Sequence, residues 1–534
     1  MMSPFDRTWR LTKLLLRRDR IRLTGWLSVI TAATLLTAAA FPGLYTTETE
    51  REQLAISMIN PAVTALVGPG HGLDDYTYGP MMAHQMLGLT ALIIAIMAVL
   101  LTIRYTRADE EEGRTEMVRA LAVGRSAPLM SALLVMTMLS GAIGLANAVG
   151  LGLLGLEGMN WAGSLHYGAV LTLTSLFFTG VTFITAQLAE TARAASGMAI
   201  IAAVGAYAVR AVGDISVDIL TWFSPFGWLL AAETYVNNYV WPLLLTLFAS
   251  TLAITAGLWL AAGRDVGSGL LHSKAGRSRA RKSLLSPIGL QMRLQRTSIL
   301  VWTASLFLLG VTYGSVLGDI DLFFSDIDFM EDFLPAVEGL SLTDQFLSVL
   351  FVIMAIMASV PTVMQLTKLR SEEKKQRIEP IVSLAVSRGK LLTSYMVPAL
   401  LTSVIMLSAT SAGLGAAAVA VIEEGRPFME YYGAGMAYLP AVLVMTATAA
   451  LLIGWVPAFT SIVWGYLAAS FVIVYMGNLF QFPDWMDRLT PFGYVPAVPV
   501  ESAAILPTAG LVAAALVLTA GAYIGFGRRD LQQG

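Results

Sequence analysis

The 534-residue chain contains no cysteine, which excludes disulfides, thiolate nucleophiles and cysteine-based zinc sites outright. Charge is scarce as well: 13% of residues are Asp, Glu, Lys or Arg, against roughly a quarter in an ordinary soluble domain. A nucleotide-binding loop is also missing. The one Gly-Lys pair, Gly389-Lys390, is followed by Leu391 instead of Ser or Thr and has no upstream glycine at the required spacing. No Ser/His/Asp constellation or metal-ligand spacing supports an enzyme. The chain is therefore expected to bind no cofactor and no metal of its own, and nucleic acid is not among its expected partners.

What the chain has instead is apolar sequence, 56% of its residues, gathered in runs of about 20, the length that crosses a bilayer as a helix. Runs fall near 23–41, 80–104, 127–155, 166–188, 195–213 and 239–262, and again near 297–317, 345–367, 390–421, 434–456, 459–479 and 503–526. The expected fold is an all-α polytopic membrane protein of about twelve spans. Two six-span halves, 1–262 and 297–534, flank a polar basic linker at 263–296. The first run follows a basic stretch and ends Ala38-Ala39-Ala40, yet it is too long for a cleaved secretory signal. Before it, Phe5, Trp9, Leu15 and Leu16 alternate with Arg7, Arg10, Lys13, Arg17 and Arg18, a pattern expected of a helix lying in the headgroup layer against anionic lipid. Ser3-Pro4 is read as its cap and first turn.

Of the 34 lysines and arginines, all but Arg51, Arg210, Arg426 and Arg488 fall on one side of the twelve-span layout. The positive-inside rule puts that side, with both termini, in the cytoplasm, at a prokaryotic plasma membrane. The halves are repeats. Arg107–Arg125 aligns without a gap on Arg370–Arg388, sharing Arg107/Arg370, Glu110/Glu373, Arg114/Arg377, Glu116/Glu379 and Arg125/Arg388. Ser224-Pro225-Phe226-Gly227-Trp228 matches Thr490-Pro491-Phe492-Gly493-Tyr494, and Gly263-Arg264-Asp265 matches Arg528-Arg529-Asp530. Six spans return the chain to its starting side, so the repeat is parallel, about an axis along the membrane normal.

Each copy of the charged island interrupts long apolar sequence. Arg107–Glu110 and Glu110–Arg114, like Arg370–Glu373 and Glu373–Arg377, stand at i,i+3 and i,i+4, where opposite charges are helical neighbours. Such pairs are worth a few tenths of a kcal/mol each. A solvated connector does not require the same pattern twice, whereas a docked protein does.

Glu111-Glu112-Gly113-Arg114-Thr115-Glu116, followed by Leu121-Ala122-Val123-Gly124-Arg125, resembles the loop between the second and third spans of type-2 ATP-binding-cassette exporter permeases. In that family the pattern E-x-G-T-x-E…LL…P-V-S-R forms a coupling helix that contacts the ATPase. Ala385-Val386-Ser387-Arg388 keeps its Val-Ser-Arg without the proline. The layout resembles the fused twelve-span subgroup that exports polyketide antibiotics and other drugs, over essentially the whole chain. The resemblance implies ATPase coupling through Arg107, Glu110, Arg114, Glu116 and Arg125 and through Arg370, Glu373, Arg377, Glu379 and Arg388. It implies two copies of a separate cytoplasmic ATPase, identical or paired, which carry the ATP and Mg. Lys374, Lys375 and Gln376 replace Glu111, Glu112 and Gly113 in the second island, which puts equal contact by the two halves in doubt.

For a hydrophobic or amphipathic small-molecule substrate the candidates are Met82, Met86, Phe351 and Met354, since methionine and aromatic surfaces adapt to varied apolar ligands. The resemblance adds Tyr207 and Tyr475. His84 and His166 read as satisfied polar residues near the ends of spans. The acidic run Asp319–Asp332 lacks the glycine and glutamate of a calcium loop and reads as a solvated outer segment. A proton-coupled twelve-span antiporter is the alternative. It needs an ionisable group inside the membrane, and none stands near a span centre.

Overall fold

The computed structural model describes residues 3–529 apart from 60, 272–277, 320–341, 384–385, 423–424, 477–481, 484 and 497–504. The acidic run expected to be an outer segment lies, beyond Asp319, outside the described residues. The chain divides at the basic linker into two units, Met1–Gly276 and Arg277–Gly534.

In the first unit, α1 (Thr8–Arg18) precedes the spans α2 (Arg20–Leu44), α3 (Tyr78–Glu111), α5 (Ala127–Leu154), α6 (Trp161–Leu188), α7 (Ala192–Ser216) and α8 (Trp241–Ala262); the short helix α4 (Arg114–Arg119) sits between α3 and α5. The second unit holds α9 (Pro287–Val316), α10 (Leu342–Lys374), the short α11 (Glu379–Val382), α12 (Arg388–Val421), α13 (Leu439–Trp455), α14 (Ile462–Met476) and α15 (Ile505–Arg528). Among the described residues, eleven helices are long and apolar enough to cross a membrane. α14, the eleventh run in the sequence, reaches 15 residues before the described chain stops. The architecture is the all-α, multi-span one that the apolar runs predict.

Lipid is as apolar as leucine, so spans associate through close packing of small residues. Gly144 on α5 and Gly168 on α6 meet face to face: a Cβ built on either would lie 2.4 or 2.3 Å from the other's carbonyl oxygen. Inside the first unit, Met81, Met82, Ile94, Met97, Tyr167 and Phe178 form one enclosed cluster; in the second, Leu350, Phe351, Met354, Met406, Tyr431 and Met445 form another.

The ends of the helices follow local chemistry, with one departure. Ser286 caps α9 through Gly289 N at 3.1 Å, with Pro287 in the first turn, the arrangement read from Ser3-Pro4 at the head of the first half. Ser3-Pro4 does not cap α1. It forms a turn with Asp6, and the helix starts after Arg7, which adopts a left-handed conformation at φ 65°. The two halves also begin differently. α1 and α2 are separated at Asp19, whereas α9 runs unbroken for 30 residues.

Candidate functional site

Both charged islands lie where the second span of their unit ends, and the chain breaks at equivalent residues. Gly113 takes φ 71° and Gln376, its aligned partner, takes φ 57°. Only glycine adopts that region without a penalty, roughly 1–2 kcal/mol for other residues. Gln376→Gly should therefore raise the unfolding free energy of the second unit by about 1 kcal/mol, and Gly113→Ala should lower that of the first by a similar amount, each read from thermal unfolding in detergent.

The break redirects the ion pairs. The i,i+3 pairs form: Arg107 to Glu110 at 2.6 Å and Arg370 to Glu373 at 3.2 Å. The expected i,i+4 pairs do not, because no continuous helix joins their members. Arg114 turns instead to Asp109 at 2.7 Å and to Glu112, and Arg377 turns to Glu372 at 3.6 Å. Asp109 and Glu372 occupy the same position of the repeat, so this correction, too, is duplicated.

The larger correction concerns exposure. The islands do not present all their charges outward. Arg107 is 1% exposed, and Arg370 and Glu373 are 8% and 4% exposed. Glu110 receives two hydrogen bonds from Arg264 Nη2, at 2.8 and 2.9 Å, and Glu373 receives a bidentate pair from Arg529 at 3.0 and 2.9 Å. Each glutamate is thus gripped by two arginines, one from its own island and one from the end of the last span of its half. In the first unit Arg107 also donates to the carbonyls of Glu190, Gly267 and Ser268, and Arg264 donates to Gln187 Oε1 at 2.9 Å. Ala192 N at the start of α7 donates to Glu111. The ends of α3, α6, α7 and α8 are tied together behind the island.

Arg264 and Arg529 were legible only as related half-ends, Gly-Arg-Asp and Arg-Arg-Asp. Their duplication was the signal, and their partners were not visible because they lie 154 and 156 positions away in the chain. Arg125 and Arg388 also point back toward the half-ends: Arg125 donates to the carbonyl of Arg264 at 3.3 Å, and Arg388 to those of Gly527 and Arg529 at 3.1 and 2.7 Å.

What remains outward is a small tip. Glu116, Met117 and Leu121 are exposed in the first unit, the last two at 64% each, and Arg377, Glu379 and Val382 in the second. Arg114 is half-buried.

A second network fastens α1 to the first island. Asp19, 5% exposed, accepts from Arg18 at 2.9 Å, Arg22 at 2.8 Å and Arg104 at 2.9 Å, while Arg18 also reaches Asp109 at 3.0 Å. Burial pushes the Asp19 carboxyl up, but the hydrogen bonds from Arg104 and Arg18 outweigh it and hold the group below its usual range. A depressed carboxylate contributes stability that is present above its unfolded pKa, about 3.9, and is lost as pH falls through the folded value. Thermal stability should therefore be insensitive to Asp19 between pH 7 and about 5 and should decline below about 4; Asp19→Asn should weaken that acid dependence.

The candidate substrate residues divide. Met82, Phe351 and Met354 are at most 1% exposed and belong to the cores of their units. Their apolar surface is consumed by helix packing. Met86, Tyr207 and Tyr475 are half-buried. Tyr207 packs edge-on to Phe226 at 5.2 Å and donates to the carbonyl of Leu66, and Tyr475 stacks on Phe471 at 5.1 Å. His84 is engaged at both ring nitrogens, by Tyr76 and the Gly68 carbonyl, as is His166, by Thr234 and the Tyr239 carbonyl. Arg210, counted in the sequence as an outer cation, is fully buried in α7. It pairs with Asp214 at 3.1 Å and caps the carbonyls of Thr64, Ala65 and Leu66.

With this geometry described, comparison with known proteins gives two findings. The family model described as "Multidrug efflux system permease Rv1217c, C-terminal domain" matches residues 11–260 and 284–527. The multidrug efflux system permease protein Rv1217c of Mycobacterium tuberculosis (strain ATCC 25618 / H37Rv) is 34% identical over 537 residues, covering 99% of this chain and 96% of the relative. The chain belongs to this permease family. In this permease, then, the two ion clusters are duplicated features of a many-span membrane protein.

Proposed function

We propose that the chain is the membrane permease of an ATP-driven exporter of the ATP-binding-cassette class, which moves amphipathic drugs outward and confers resistance to them. A separate cytoplasmic ATPase, present in two copies, identical or paired, binds ATP and Mg. Both termini and the charged end of each unit face the cytoplasm of a prokaryotic cell. The observation that carries this reading is the duplicated three-residue cluster, Arg107–Glu110–Arg264 and Arg370–Glu373–Arg529, set directly behind a short exposed helix. A motor outside the membrane moves spans only if the part it touches is rigidly joined to them. In the first unit the cluster joins the tip to the ends of α3, α6 and α8, so displacement of the tip displaces all three.

The relative's name, a multidrug efflux permease, supports the direction and class of cargo. A proton-coupled antiporter fits less well. The pair Arg210–Asp214 near the end of α7 is closed, Asp214 accepting from the Thr221 hydroxyl at 2.8 Å and Arg210 donating to three backbone carbonyls, so this carboxylate is not free to carry a coupling proton. The test is to express the tagged permease in its native cells and identify what co-purifies. Two copies of a P-loop ATPase per permease are expected, and drug efflux should stop when the catalytic carboxylate of that ATPase is replaced. Efflux that persists without any such ATPase would overturn the reading.

A further inference from the structure

The first unit has an open cavity of about 640 Å³ at its charged end, within the range of roughly 300–1,000 Å³ that holds small ligands. Its charged lining is unbalanced. Arg107, Arg119, Arg125 and Arg264 face it, with Glu110 as the single carboxylate. Glu110 is already gripped by Arg107 and Arg264. Arg119 and Arg125 make no ion pair among the described residues; each donates to one carbonyl, Arg119 to that of Arg125 at 3.4 Å and Arg125 to that of Arg264 at 3.3 Å. Partial burial of the otherwise exposed Arg119 pushes its guanidinium below the usual range, and the neighbouring Arg125 adds to the effect. Positive potential is concentrated there with donors to spare.

The rest of the lining mixes polar groups, Thr106, Ser126 and Gln187 among them, with an apolar stretch that belongs to a membrane span. Leu258, Trp259, Ala261 and Ala262 belong to the last turns of the span α8, and Phe5 also lines the cavity. Trp259 is 75% exposed and Phe5 50%, aromatic rings of the kind that sit at the level where hydrocarbon gives way to headgroup. A soluble anion has no use for such a wall. A phosphodiester carrying acyl chains uses both parts: charge for the guanidiniums, hydrocarbon for Trp259 and Leu258.

We propose that this cavity is a binding site for one anionic phospholipid, its phosphodiester held by Arg119 and Arg125 and the upper part of an acyl chain lying on the end of α8. The site is one-sided. Val382 stands in the second unit where Arg119 stands in the first, and Ser387 where Gly124 stands. The lipid would seat against the loop that carries the exposed tip, joining the bilayer to the part that moves. The proposal needs only that α8 crosses a membrane, so it stands or falls apart from the ATPase reading.

The test uses the purified full chain in detergent, without any partner, and native mass spectrometry with phosphatidylglycerol or phosphatidylcholine added. One phosphatidylglycerol should be retained per chain in preference to phosphatidylcholine. Arg119→Gln, at an exposed position that no cluster needs for folding, should weaken that retention roughly tenfold, the effect of losing a hydrogen bond to a charged group. Millimolar inorganic phosphate should not displace the lipid. Equal retention by the Arg119→Gln chain, no preference for the anionic lipid, or displacement by inorganic phosphate would each overturn the proposal, the last in favour of a soluble anion.

Discussion

Glu110→Ala should destabilise the first unit by about 3–5 kcal/mol, the usual consequence of leaving buried cations without their partner. The side chain stands between Arg107 and Arg264, which are 1% and 7% exposed as side chains, so its removal leaves two largely buried cations short of their carboxylate. Arg264→Ala should cost a similar amount. The double mutant should cost much less than the sum, with a coupling energy of about 1–3 kcal/mol. The same cycle run on Glu110 and Arg114 should return a value near zero, since no bond joins them. A surface salt-bridge reading of the island predicts the opposite ordering, with small effects throughout and coupling along the i,i+4 pair. Glu373 and Arg529 should repeat the result in the second unit. Thermal or denaturant unfolding in detergent measures all of these.

Charge reversal at Glu110 and Glu373 thus tests folding before it tests docking. The cleaner probe of docking is the exposed tip. Met117→Glu combined with Leu121→Glu should leave the melting temperature within a degree or two, because surface substitutions stay within about 0.5 kcal/mol. The same change should cut ATPase association at least about 30-fold, the loss expected when a central apolar anchor worth roughly 2 kcal/mol is removed from an interface. Val382→Glu in the second unit should have a smaller effect, since Val382 is 37% exposed where Met117 and Leu121 are 64%. Co-purification measured alongside the melting temperature separates loss of docking from loss of fold. If association is unchanged in the double glutamate variant, the tip is not the contact.

Much of this organisation is legible in the amino-acid sequence for simple physical reasons. A bilayer demands about 20 apolar residues per span, so spans such as Ala127–Leu154 and Trp161–Leu188 announce themselves by composition. A duplication preserves residues whose partners are also duplicated, which is why Arg107, Glu110 and the half-end arginines recur. Two things were not legible. Helical spacing assumes a continuous helix, and the left-handed residues Gly113 and Gln376 end it, so Arg114 and Arg377 find Asp109 and Glu372 instead of the i,i+4 glutamates. Burial is the other. Nothing in an Arg-Glu-Arg pattern says whether the charges face water or one another, and the deciding residue, Arg264, stands far along the chain. The methionines and aromatics are ambiguous for a related reason: in an apolar protein Met82, Phe351 and Met354 serve packing as readily as a substrate surface.

The most direct test is ATP-dependent drug movement by purified components in sealed vesicles. With the permease and its ATPase reconstituted together, ATP supplied on the side of the charged end should drive uphill drug transport. That transport should persist when proton and sodium gradients are collapsed and vanish when the ATPase is omitted. Uphill transport by the permease alone, powered by an ion gradient and indifferent to ATP, would contradict the account.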